Sequence, residues 1–268
     1  MSKKRVLIVT QEMEPYTDLS AIAEISRKLP QYIQEKGMEI RVLMPRFGVI
    51  NERRHRLHEV VRLSGMNIIV DDDDFPLIIK VASLQEARMQ VYFLDNDDFF
   101  RRKSTFESEE GTPYEDNPDR MVFFCKGVIE TVKKFGWAPD IIHCHGWMTS
   151  LIPLYLKTAY KTEPLFQNSK VIYSMYDSPF DQMYSDKFLA KASINNLTPS
   201  DLASYQNGSG VTLHKGAIAY SDAVIVGSAS VGDTVPATDK PLLPFQEENY
   251  LSAYLEFYNT LLAENEPA

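Results

Sequence analysis

The chain opens with Val6-Leu7-Ile8-Val9-Thr10, an aliphatic and β-branched run of the length of one buried strand. A polar turn follows, and Leu19, Ile22, Ala23, Ile25, Leu29, Tyr32 and Ile33 then recur at helical spacing. Gly37 stands where a helix C-terminal cap belongs, and Ile40-Arg41-Val42-Leu43-Met44-Pro45 reads as the second strand. Strand, helix and strand in succession make a βαβ unit, which requires parallel pairing and a right-handed crossover.

The period then changes. Val60-Val61-Arg62-Leu63, Asn67-Ile68-Ile69-Val70, Leu77-Ile78-Ile79-Lys80-Val81-Ala82 and Gln90-Val91-Tyr92-Phe93-Leu94 are short extended runs that predict an antiparallel or mixed, β-rich excursion. Between two of them lies Asp71-Asp72-Asp73-Asp74. These carboxylates lack the alternating spacing and the glycine of a calcium loop, so they predict a solvated hairpin tip. Residues 101–118 are polar and punctuated by Gly111, Pro113 and Pro118, which predicts a mobile loop.

From there strand and helix alternate. A helix is expected over 119–135, with Met121, Phe124, Val128, Ile129 and Val132 on one face, then a strand at 140–145 and a helix over 148–160. A strand at 170–176, a helix over 211–220 and a last strand at 223–227 complete the pattern. This order predicts an α/β fold, a single doubly wound Rossmann-like domain over residues 1–239. Residues 240–268 differ in kind. Lys240-Pro241-Leu242-Leu243-Pro244 predicts a stiff linker, and 246–264 a C-terminal amphipathic helix with Tyr250, Leu251, Tyr254, Leu255, Tyr258, Leu261 and Leu262 on one stripe. That stripe is expected to dock back on the domain; the alternative is that it binds another chain.

Composition narrows the partners. With 28 Lys+Arg against 37 Asp+Glu the formal charge is −9, which repels phosphate backbones and anionic lipid, so neither nucleic acid nor a membrane surface is expected. Arg53, Arg54 and Arg56 are too few and too local to reverse this. Cys125 and Cys144 lie in apolar stretches without redox or metal spacing and predict free buried thiols. No apolar run has the length of a membrane span, and the one after the N-terminus is too short for a signal-peptide core; a reducing cytoplasm is the expected location.

Four stretches carry candidate chemistry. The first is Val9-Thr10-Gln11-Glu12-Met13-Glu14-Pro15, continuing into Ala23-Glu24-Ile25 and Leu29-Pro30. The second is Pro139-Asp140-Ile141-Ile142-His143-Cys144-His145-Gly146-Trp147, and the third Val171-Ile172-Tyr173-Ser174-Met175-Tyr176-Asp177. The fourth runs from Leu213-His214-Lys215-Gly216 through Ser221-Asp222-Ala223 to Gly227-Ser228. In this order they resemble the N-terminal half of bacterial glycogen synthases and plant starch synthases, which is one half of a GT-B glycosyltransferase fold. The resemblance spans about residues 4–235. It implies an ancestral transfer of glucose from ADP-glucose to a glucan, with the acceptor handled mainly by this half.

Several positions depart from the family pattern. Where the family has Lys-Thr-Gly-Gly against the nucleotide sugar, this chain has Asp18-Leu19-Ser20-Ala21. A carboxylate facing a diphosphate turns attraction into repulsion on the order of a few kcal/mol at partly buried separations. The His-x-His-Asp-Trp motif keeps His143, His145 and Trp147 but has Gly146 for the acid, and the His-Asn that ends the next strand is Tyr176-Asp177. The resemblance contains no counterpart of the family's second, nucleotide-binding domain.

The resemblance thus implies a sugar cleft drawn from Glu12, Asp18, His143, His145, Trp147, Tyr176, Asp177 and Lys215. No catalytic residue, cofactor or metal is assigned; the two histidines would need a third ligand to hold a metal. The bland alternative makes His143 and His145 strand-end residues satisfied by neighbours, with Trp147 as packing. The expected partner is an α-glucan or malto-oligosaccharide, with a second polypeptide or a homodimer as a further possibility. Three readings stand: a glycogen-synthase-like chain not active alone, a non-catalytic glucan-binding or regulatory protein with exposed Trp147 and Tyr176 stacking on sugar, and a protein-interaction module.

Overall fold

The computed structural model describes residues 3–84, 87–177, 186–194, 197–207 and 210–264. The aliphatic runs become parallel strands: β1 (Arg5–Thr10), β2 (Glu39–Pro45), β6 (Met89–Asp95), β7 (Ile141–His145), β8 (Lys170–Met175) and β11 (Ala223–Val226). The excursion supplies β3 (His58–Glu59), β4 (Met66–Val70) and β5 (Asp73–Leu84), and β9 (Gln206–Asn207) pairs only with β10 (Gly210–Val211). With β12 (Leu242–Leu243) the main sheet is ten-stranded, in the order β12-β11-β8-β7-β1-β2-β6-β5-β3, with β4 on β5. The order reverses between β1 and β7, the switch point at which such sheets place ligands.

The helices among the described residues are α1 (Ala21–Glu35), α2 (Glu52–His55), α3 (Asp97–Phe100), α4 (Asn117–Phe135), α5 (Leu151–Lys157), α6 (Asp186–Ala192), α7 (Pro199–Leu202), α8 (Leu213–Tyr220) and α9 (Tyr250–Ala263). Side-chain alternation on β7 shows that both faces of the sheet are covered. His143 meets Tyr258 of α9, whereas Cys144 faces the side of α4, where Cys125 lies. Helix α1 packs beside α9, while α4 packs beside α5 and α5 beside α8. With no face left to water, the central strands are buried on both faces rather than alternating between buried and exposed positions.

Several expectations needed correction. The strand expected at 60–63 is a turn: pairing falls on His58–Glu59 because β5 offers Lys80 and Val81 there, and Val61 is left 78% exposed. Leu19 lies outside α1 and is 55% exposed, its amide held by Glu12 rather than by a helix. The helix over 148–160 divides into a 3₁₀ turn at Trp147–Thr149 and α5, with Pro153 in the first turn, where a missing N–H leaves no gap. The aspartate run divides too: all four carboxylates are exposed, Asp71 and Asp72 form the turn, and Asp73 and Asp74 pair with β4. Residues 101–118 are anchored, with Phe106 buried, Arg102 bidentate on Asp116 at 2.7 and 2.6 Å, and an isolated bridge between Glu107 and Pro113. Leu242 and Leu243, expected in a linker, add a parallel edge strand to β11. Both cysteines are free and buried, and among the described residues no helix is long and apolar enough to cross a membrane.

Candidate functional site

The parallel register puts Ile8 beside His143 and Thr10 beside His145, with Ser174 of β8 beyond His145. Both imidazoles therefore point to the α9 face, and their ring centroids lie 3.8 Å apart. The His143 ring bonds the Tyr258 hydroxyl through Nδ1 at 2.5 Å and the Ser174 hydroxyl through Nε2 at 2.6 Å. A neutral imidazole donates from one nitrogen and accepts at the other, so one hydroxyl gives its proton and the other receives one. His145 Nδ1 lies 3.0 Å from the Tyr176 hydroxyl, while its buried Nε2 makes no hydrogen bond among the described residues. The Tyr254 hydroxyl of α9 bonds Tyr176 and Ser174. Gly227, at the end of β11, makes room for the Tyr176 ring, which a Cβ there would strike.

This constellation is sealed. His143 and His145 are fully buried, Trp147 is 1% exposed and Tyr176 4%. The aromatic faces expected to stack on sugar are instead covered by α9 and by Phe106, which packs edge-on against Trp147. Neighbouring hydroxyls satisfy both ring nitrogens of His143 and one of those of His145.

Burial pushes His145 down to about 3 and His143 well below the usual histidine range, the latter helped by its neighbour His145. Both rings are neutral at pH 7, and the native state refuses protons that the unfolded chain accepts below its ordinary value of about 6.5. The stability is thus complete above that value and lost as pH falls toward the folded values. For His145 alone the loss between about pH 7 and about pH 5 is about 2 kcal/mol, and His143 adds in the same direction. The urea midpoint should hold above pH 7 and fall between pH 6.5 and 5, with a shallower fall in His145→Gln; a midpoint flat across that window would show the rings to be solvated.

The other candidates separate. Glu12 is 2% exposed and accepts from the backbone amides of Leu19 at 3.1 Å and Ser20 at 2.9 Å and from the Ser20 hydroxyl at 3.0 Å. Burial raises its pKa, and these donors partly offset the rise. Glu12 therefore occupies the amides that lead into α1, while Asp18 is exposed. Asp177 is exposed and accepts from Ser228 at 3.3 Å and from Ser230. Lys215 is exposed on α8, on the opposite face from α9, and is not brought to the histidines. Among the described residues no three His, Cys, Asp or Glu gather as a metal site.

What is open at the strand ends is a groove of about 180 Å³ between the first turns of α1, the end of β11 and the start of α9. Glu24, Ile25, Gly227, Phe245, Tyr250 and Tyr254 line it. The sequence offered two roles for the aromatic stripe of the tail, docking back on the domain or binding another chain, and neither is a groove wall. The signal for that role was Phe245 and Tyr250 flanking the start of the helix, where packing is incomplete and Phe245 stays 40% exposed.

The model of the starch synthase catalytic domain matches residues 5–236. Glycogen synthase of Pelodictyon phaeoclathratiforme is 36% identical over 201 residues, covering 75% of this chain and 40% of that protein. Glycogen synthase of Chlorobium limicola is 33% identical over 234 residues, covering 86% and 47%. The chain thus spans about half the length of these relatives, or less. The catalytic domain of starch synthase IV from Arabidopsis thaliana, solved bound to ADP and acarbose, superposes with a TM-score of 0.74 at 19% identity over 97% of this chain and 50% of that one, a likeness of fold.

Proposed function

Because the chain belongs to the starch synthase catalytic domain family, we propose that it is an α-glucan-handling protein of the glycogen synthase type whose own strand-end residues do not support transfer from a nucleotide sugar. The observation that carries the second half is the loop before α1, where Asp18-Leu19-Ser20-Ala21 stands in place of the family's Lys-Thr-Gly-Gly. Amides at the entry to a helix favour anions, and here a buried carboxylate already takes those of Leu19 and Ser20. A diphosphate brought to this loop would meet the exposed carboxylate of Asp18 in place of a lysine, a like charge where the family offers an opposite one. Tyr176 stands where the family has its strand-end histidine, and its hydroxyl is committed to His145 and Tyr254.

The first half rests on kinship with glycogen synthases and on the groove. Aromatic rings beside a carboxylate suit a pyranose, whose faces are apolar and whose edges carry hydroxyls. Calorimetric titration with a long malto-oligosaccharide should give saturable heat. Tyr250→Ala should weaken binding about tenfold, the size of one lost aromatic contact. A flat titration at millimolar sugar removes the glucan reading, and glucose incorporation from ADP-glucose by this chain removes the reading of a silent donor side.

A further inference from the structure

A second cleft, of about 600 Å³, lies on another flank of α1, lined by Glu14, Tyr16, Arg27, Arg54, His55 and Arg56 among others. Its basic wall comes from a local feature of the backbone. Asn51 caps the single turn of α2, and Arg56 adopts φ 54°, so that the chain reverses and three consecutive side chains, Arg54, His55 and Arg56, border one space. Arg53, in the same turn, is not among the lining residues. The floor is aromatic: His55 packs edge-on against Tyr16 at 4.9 Å between centroids, and Tyr16 packs on Phe93 of β6 at 4.8 Å.

The charge balance of this cleft is opposite to that of the molecule. The chain carries −9, yet among the described residues that line the cleft Arg27, Arg54 and Arg56 stand with one carboxylate, Glu14. Three arginines outside the cleft pair with carboxylates: Arg5 with Glu39, Arg46 with Asp95 and Arg102 with Asp116. Neither Arg54 nor Arg56 makes an ion pair among the described residues. His55 already responds to the local field, since burial and then the charge of Arg54 lower its pKa.

We propose that this cleft binds a phosphate monoester with a small organic body, the phosphate taken by Arg54 and Arg56 and the body resting on Tyr16. Guanidinium groups match phosphate oxygens in pairs, which favours phosphate over a single carboxylate. A bare phosphate would leave most of the volume empty, so the space accommodates a sugar-sized group as well. The inference is independent of the glucan reading, because no residue lines both clefts.

The test is calorimetry on the full chain with inorganic phosphate and with a hexose phosphate, at constant ionic strength set with chloride. Saturable heat is expected with the hexose phosphate and weaker heat with phosphate alone. The exposed double variant Arg54→Ala/Arg56→Ala should lose at least about tenfold in affinity, the size of a lost charge-assisted contact. Arg53→Ala, which removes the same charge from outside the cleft, should leave binding unchanged. Flat titrations with both ligands at millimolar concentration overturn the proposal, as does heat that survives in the double variant or falls equally in Arg53→Ala. Malto-oligosaccharide binding should be unaltered in the double variant, which separates failure here from failure of the glucan reading.

Discussion

Arg120→Met is expected to lower the unfolding free energy by about 4 kcal/mol and the thermal midpoint by roughly 10 °C. Arg120 is 1% exposed, in the first turn of α4. Its Nε donates to the Phe99 carbonyl at 2.8 Å, and its Nη1 donates to the Thr105 carbonyl at 2.6 Å and to Asn117 Oδ1 at 2.7 Å. The guanidinium lies over Phe47, Phe100 and Tyr114, with distances of 5.3 to 5.5 Å to the ring centroids. Burial pulls its pKa down to about 10, so it stays charged at neutral pH. Methionine fills the space of the stem and leaves two buried carbonyls without donors, a larger loss than deleting both partners of a bond. Because these acceptors lie at 99 and 105, hydrogen exchange should accelerate first across residues 99–116. Arg120→Lys supplies one point charge in place of the fork and should recover less than half of the loss. A cost below about 1 kcal/mol would mean that water already serves those carbonyls.

That side chain also shows where the sequence stopped being readable. The central strands were legible because both faces of the sheet are covered, which makes Val6 to Val9 or Ala223 to Val226 continuous aliphatic runs. Residues 101–118 gave the wrong impression because composition counts an arginine as solvated, and the anchor of the loop is an arginine buried just beyond it. At the edge of the sheet, pairing follows the register of β5 rather than hydrophobicity, so Val61 looks like a strand residue and sits in a turn. Of the candidate residues, three were legible as neighbours but not in their accessibility. His143, His145 and Tyr176 fall together at strand ends as the spacing implies. What covers them is a tyrosine stripe more than a hundred positions from the histidines, and an amphipathic pattern says that a face will be buried without saying against what.

Gly146→Asp, which restores the acid of the family motif, is expected to destabilise the chain by about 3 kcal/mol. Gly146 follows β7 with φ 82° and ψ 172°, a region that costs a side-chain-bearing residue dearly. A Cβ there would also stand 2.5 Å from Gln11 Oε1 and 2.9 Å from Ile22 Cδ1. Gln11 is not free to yield: its Oε1 accepts from the Met148 amide at 3.2 Å, and its Nε2 donates to Glu12 at 3.3 Å. Displacing it loosens the carboxylate that holds the entry to α1, and a new aspartate would add a second negative charge close to Glu12. Gly146→Ala carries the backbone and steric cost without the charge, so it should show most of the loss in chemical denaturation, with the aspartate adding the remainder. A Gly146→Asp chain as stable as its parent would mean that the turn relaxes to an ordinary backbone conformation and that the acid was lost by drift alone. A large loss in both variants would mean that the surroundings of position 146 have repacked around the missing acid, so that reversing one substitution cannot restore the family's arrangement.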